Sequence, residues 1–156
     1  MSNLQLRNDN AVQGVMPLSG RAFSAAATAA TDVPALTPIQ HVNAVMRGQL
    51  REAEKFARRI GDAAVDPSTR GATLECIEAI TPFFAAFPGI DVEVQATEDG
   101  ETVIIADNFN LARRVLLEFS RGGNIVIKRV DDAGVKRRTL LFGSEPVPEF
   151  RWLAGL

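Results

Sequence analysis

The sequence predicts an α+β fold, an antiparallel helix hairpin packed on a five-stranded antiparallel β-meander and preceded by a flexible or partner-ordered N-terminal arm. Three observations carry this expectation. Apolar residues recur at three- and four-residue spacing between Thr37 and Phe87; the period changes to two after Gly89; and the segments beyond that point are joined by turns too short to hold a crossover helix. The missing crossovers exclude a doubly wound parallel sheet and the ligand crevice at its switch point.

Residues 1–36 differ from the rest. Asn, Gln, Ser, Thr and Ala dominate, and Pro17, Gly20 and Pro34 interrupt any period. So little large apolar surface does not offset the entropy of ordering the chain, which predicts an arm that is flexible alone or ordered on a partner. Val15, Met16, Leu18 and Phe23 are its candidate anchors.

The domain spans 37–156. "LTPIQ" opens a helix over about 37–60: Thr37 caps it, Pro38 takes the first position, where no amide hydrogen is needed, and Gln40 completes a capping box. Ile39, Val42, Met46, Leu50, Ala53, Phe56 or Ala57, and Ile60 form its apolar stripe, ending at Gly61 as a C-cap. Arg47, Arg51, Lys55, Arg58 and Arg59 lie mostly off that stripe. A second helix covers about 67–87, capped by Asp66 or Ser68, with Leu74, Ile77, Ile80 or Thr81, Phe84 and Phe87 facing inward. Pro82 predicts a kink or a break within it, and Pro88-Gly89 its end.

The meander occupies about 90–142. "IDVEVQA" and "ETVIIA" flank an "EDG" turn, "DNFN" reverses the chain, "RRVLLEFS" and "NIVIKRV" flank Gly122-Gly123, and "VKRRTLLF" follows the "DDAG" turn. A three-residue turn of Gly122, Gly123 and Asn124 would set Phe119 against Ile127 and Glu118 against Lys128. Residues 143–156 read as an extended or looped tether, because prolines in "EPVPEF" block strand pairing.

Composition bounds the function. The chain has 156 residues, enough for one ordinary domain of about 100–150 residues and a short appendage. Its 17 Lys and Arg against 19 Asp and Glu leave a net charge of −2, so no overall field drives it onto nucleic acid or an acidic membrane. No run approaches the roughly 20 apolar residues of a spanning helix, and the N-terminus lacks the order of a signal peptide, which predicts a cytoplasmic protein without membrane contact. Cys76 is the sole cysteine and sits on a helical apolar face, as a small buried hydrophobe would.

No motif supplies catalytic chemistry. His41 is the sole histidine, placed near a helix cap; Glu93, Glu98, Asp99, Glu101 and Asp107 gather near the first hairpin without calcium-loop spacing; and "SRGGN" lacks phosphate-loop spacing. No catalytic residue, metal ligand or cofactor is therefore expected.

The order of two helices followed by "VEVQATEDGETVIIADN" and "VLLEFSRGGNIVIKRV" resembles small prokaryotic α+β accessory proteins often encoded with mobile-element, defence or toxin–antitoxin modules. The resemblance covers about residues 62–130. "IGDAAVDP" stands where that group carries Gly-Trp-Asp-Gly, so no functional residue carries over. The resemblance implies a noncatalytic accessory or antitoxin-like subunit of a complex.

The expected function is accordingly protein binding, through the arm and one face of the α+β body, with another protein as partner and a homo-oligomer compatible with the same surfaces. The alternative is nucleic-acid binding through Arg113, Arg114, Lys128, Lys136, Arg137 and Arg138, although the sheet lacks the interleaved aromatics that stack on bases.

Overall fold

A computed structural model describes residues 35–61, 64–140 and 146–156. Helices α1 (Pro38–Gly61) and α2 (Pro67–Ala86) precede strands β1 (Asp91–Ala96), β2 (Thr102–Asn108), β3 (Arg113–Phe119), β4 (Ile125–Asp131) and β5 (Gly134–Leu140), and a short helix α3 (Val147–Ala154) follows. The strands form one sheet in chain order, and every neighbouring pair is antiparallel. The α+β meander predicted from periodicity is the architecture. Of the predicted arm, all but Ala35 and Leu36 lies outside the described residues.

The start of α1 follows from its capping box. The Thr37 amide donates to Gln40 Oε1 at 3.0 Å, and the Gln40 amide donates to Thr37 Oγ1 at 3.1 Å, so two orphan donors are satisfied reciprocally. The buried line of α1 is narrower than its apolar stripe. Met46, Leu50 and Ala57 are buried, but Ile39, Phe56 and Ile60 are 47%, 46% and 52% exposed. Length accounts for Ile39 at the start: α1 has 24 residues and β1 six, or about 36 Å of helix over about 20 Å of strand. At Phe56 the helix rotation decides, since its neighbour Ala57 is wholly buried. Glu54 takes a buried position because Arg70 Nε on α2 donates to it at 2.9 Å.

Asp66 caps α2, accepting from the Thr69 amide at 2.9 Å and the Ser68 hydroxyl at 2.8 Å, with Pro67 in the first turn. Of the kink or break expected at Pro82 the break is not made, since the helix continues to Ala86. Pro82 lies on the exposed side, as does Glu78, whose carbonyl it leaves without an amide partner. The two helices are antiparallel: Arg47 near the start of α1 bonds Glu78 late in α2, and Glu54 late in α1 bonds Arg70 early in α2.

Met46, Leu50, Ile77, Ile80 and Phe84 form one core with Val94, Ile104, Val115, Leu117, Phe119 and Ile127 of the sheet. The segment predicted as a tether folds in part as α3. Pro148 is tolerated because it falls in the first turn, and Phe150 and Leu153 enter the core, with the Phe150 ring stacked 5.0 Å from Phe83.

Inside this core two threonine hydroxyls join α2 to β2. Thr73 Oγ1 donates its one proton to the Thr69 carbonyl at 2.7 Å, so the 2.6 Å contact with Thr102 Oγ1 has Thr102 as donor. The end of α1 is fixed by backbone approach. A Cβ at Gly61 would stand 2.4 Å from the Glu98 carbonyl oxygen, and one at Gly100, whose φ is +82°, would stand 2.7 Å from the Ala64 carbonyl oxygen. Glycine at 61 therefore serves close packing against the β1–β2 turn, beyond ending the helix.

The β3–β4 register differs from the expected one. Ser120 and Asn124 close the loop, Gly123 takes φ +79°, and Phe119 pairs with Ile125 and Glu118 with Val126. The turn begins one residue earlier, at Arg121, which moves the register by two and leaves each side chain on its expected face.

Two measurements check these contacts. T73V is expected to lower stability by about 1–3 kcal/mol in chemical denaturation, because the Thr102 hydroxyl is left unpaired in the core. T73V/T102V is expected to lose less than the two single changes summed. The cap hydrogen bonds lower the Asp66 carboxyl to about 2 from an ordinary 3.8. Its stabilisation is full above about pH 4 and is lost as pH falls through about 2. The melting-temperature gap between wild type and D66A should therefore close over that window.

Candidate functional site

Register assigns every strand residue to one of two faces. On the inner face Val94, Ile104, Leu117 and Ile127 lie in one cross-strand row under the helices, and all four are buried. The outer face has three rows. The first is Gln95, Val103, Glu118, Val126 and Thr139; the second is Glu93, Ile105, Leu116, Lys128 and Arg137; the third is Asp91, Asp107, Arg114, Val130 and Val135.

This outer face is aliphatic at its centre. Val103, Ile105, Leu116, Val126 and Val130 are half-buried by their strand neighbours, none packs with the core beneath the helices, and Val135 is 61% exposed. Two ion pairs cross it. Arg114 donates to both oxygens of Asp107 at 2.6 and 2.9 Å, and Lys128 reaches Glu118 at 2.9 Å along a diagonal of the register. Its flanks carry opposite charge: Asp91 and Glu93 stand on β1 and Arg137 on β5, and none of the three has an ion pair among the described residues.

The two sheet edges are unlike. On β1 the Val94 amide donates to Gln49 Oε1 at 3.0 Å, so a side chain of α1 occupies part of that edge. An open groove of about 780 Å³ runs beside it, lined by Gly48, Gln49, Ala53, Phe56, Val94 and Ala96 among others. On β5 every residue from Gly134 to Thr139 is exposed, although alternate side chains point to opposite faces.

The six cations predicted as a nucleic-acid surface do not share one side. Arg114, Lys128 and Arg137 project from the outer face, and Arg113, Lys136 and Arg138 from the inner. Four are engaged within the fold. Arg114 and Lys128 hold the carboxylates just described; Arg113 donates to the Trp152 carbonyl; and Arg138 donates to both oxygens of Glu149 at 2.6 and 2.8 Å. The guanidinium groups of Arg113 and Arg129 both pack on Trp152, 4.9 and 4.8 Å from its ring centre. These cations fasten α3 to the sheet. Arg51, Lys55, Arg58 and Arg70 line a separate hollow between α1 and α2, where Glu54 already holds Arg70.

The remaining sequence candidates are placed apart. Val15, Met16, Leu18 and Phe23 lie outside the described residues. His41 is exposed in the first turn of α1. Cys76 is half-buried against the core, and burial pushes its thiol up to about 12, which keeps it protonated at neutral pH. Among the described residues no three His, Cys, Asp or Glu side chains converge to hold a metal ion, and no helix is long and apolar enough to cross a membrane.

Sequence reasoning undervalued the outer face, although a signal for it was present. "TVIIA" in β2, "VLLEF" in β3 and "IVI" in β4 are apolar at nearly every position. A strand with one wet side alternates, whereas a near-continuous apolar run is what a strand covered on both faces shows. No family model, curated protein or solved structure matches the chain.

The Arg138 guanidinium holds the Glu149 carboxyl below its ordinary range and anchors α3 at a buried carboxylate. R138E is expected to cost about 1–2 kcal/mol in denaturant melts, the strength of charge-assisted bonds reduced because Arg138 is 41% exposed. K136E, at an exposed position without an ion pair among the described residues, should stay within about 0.5 kcal/mol of wild type.

Proposed function

We propose that this protein is a noncatalytic binding module of the accessory type and that the outer face of its sheet is the surface it presents to another protein. The observation that carries this reading is the aliphatic centre formed by Val103, Ile105, Leu116, Val126 and Val130 on the side of the sheet away from the core. Contiguous apolar surface rimmed by charge is what protein contacts bury, and its cost in water is offset when a partner covers it. The paired charges Asp107–Arg114 and Glu118–Lys128 suit the same role, since each satisfies its partner without recruiting groups from outside.

Nucleic-acid binding by the sheet has less support. Arg113 and Arg138 serve α3, and the cations on the outer face stand among aliphatic residues and carboxylates instead of forming a stripe. The antitoxin-like subunit implied by resemblance would be one protein of the proposed type, acting by covering a partner's surface.

A photo-crosslinking phenylalanine analogue at position 116 tests the assignment in cells that naturally make the protein. Protein adducts are expected from position 116, and far fewer from the same group at the exposed position of Glu75 on α2. Equal yields from both positions would contradict the reading.

A further inference from the structure

We infer that the occupant of the outer face is a second copy of this chain, packed sheet to sheet about a two-fold axis parallel to the strands. The inference rests on the proposed binding role of that face. It is carried by the order of residues across the middle row, Glu93 on β1, Ile105 on β2, Leu116 on β3, Lys128 on β4 and Arg137 on β5. The row runs from acid through aliphatic to base.

Two-fold packing of one face on itself admits two aligned arrangements. With the axis parallel to the strands, β1 lies over β5 of the other copy and β3 over β3. Glu93 of each copy then meets Arg137 of the other, and the two Leu116 side chains meet at the axis. With the axis across the strands, β1 lies over β1, setting Glu93 against Glu93 and Arg137 against Arg137. Charge favours the first arrangement: it sets Glu93 and Arg137, which have no ion pair among the described residues, against their opposites, while Arg114 and Glu118, which meet their own copies along the axis, are already neutralised by Asp107 and Lys128. Aligned sheets also pack within about 30° of each other, which this axis permits.

The row above supports the same pairing. Gln95 and Thr139, the uncharged polar ends of their row, come opposite one another, and Asp91 comes near Val135 beside the β5 cations. Five strands about 4.8 Å apart and about 20 Å long give a footprint near 500 Å² per copy, at the small end for a specific interface, so the dimer should dissociate on dilution.

Edge-to-edge addition at β5 is the competing geometry. Two copies joined there would bring Lys136, Arg137 and Arg138 against the same residues of the other copy, which opposes it.

Sedimentation velocity of the full chain over a concentration series decides between these outcomes. A monomer–dimer equilibrium is expected for wild type. E93R and R137E should each raise the dissociation constant by about tenfold or more, and E93R/R137E should return it toward the wild-type value, because the swapped charges again face their opposites. Both positions lie in the charged periphery of the face, so the variants are expected to keep the wild-type circular-dichroism spectrum. A dimer indifferent to E93R and strengthened by R137E would mean pairing through the β5 edge and would overturn the inference. A wild type that stays monomeric throughout would also overturn it; adducts from position 116 to a different protein would then leave the broader binding role standing, and their loss would remove both.

Discussion

Side chains alternate across a strand, so every residue that β2, β3 and β4 commit to the helices is followed by one committed to the opposite side. The rest of the structure depends on this constraint. Met46, Leu50, Ile77, Ile80 and Phe84 bring enough apolar surface to cover one side of the sheet, and Phe150 and Leu153 extend that cover. The side beyond is nevertheless built of Val103, Ile105, Leu116, Val126 and Val130. An ordinary half-exposed sheet places polar residues there, and this one retains aliphatic ones, held in place by two internal ion pairs.

Polar contacts decide how the helices sit. Thr73 and Thr102 fix the rotation of α2 over β2, because a hydroxyl pair in an apolar core has one satisfied geometry. Glu54 with Arg70, and Arg47 with Glu78, set the relative placement of α1 and α2 at both ends of their contact. Helix α3 is attached differently, by Trp152 packed with two arginines, the bidentate Arg138–Glu149 pair and the Asn108 side chain, which donates to the Leu153 carbonyl at 2.9 Å. A helix of eight residues has little propensity of its own, so these contacts hold it.

Much of the fold was legible because its signals are local. Thr37 and Gln40 lie three residues apart, and the change of period at Gly89 needs no knowledge of neighbours. The failures lie where distant parts of the chain decide. Whether Phe56 or Ala57 turns inward depends on how α1 is rotated against β1, and of the kink or break expected at Pro82 the break was avoidable because the proline fell on the wet side of α2. The prolines around Val147 argued against strand pairing and for a tether, yet Pro148 is equally at home in the first turn of a helix. The division of the sheet cations between two faces follows from strand alternation; the use of Arg113 and Arg138 by α3 appears only when residues more than ten positions apart meet. The outer face had a signature in the unbroken apolar runs, weak because a short run of that kind does not say what covers it.

Gln49 has a consequence for how large any assembly can become. Its side chain accepts the Val94 amide, so α1 fills part of the β1 edge and leaves the two edges of the sheet unequal. A fibril grown by strand addition needs each copy to offer one edge to the copy before and another to the copy after. This chain has one partly closed by its own helix and the other crowded with Lys136, Arg137 and Arg138, so a run of copies lacks a compatible next joint. Apolar strands that would be an aggregation hazard in an open sheet are thereby confined to contacts that close on themselves, and a single glutamine does part of the work usually given to a whole covering segment.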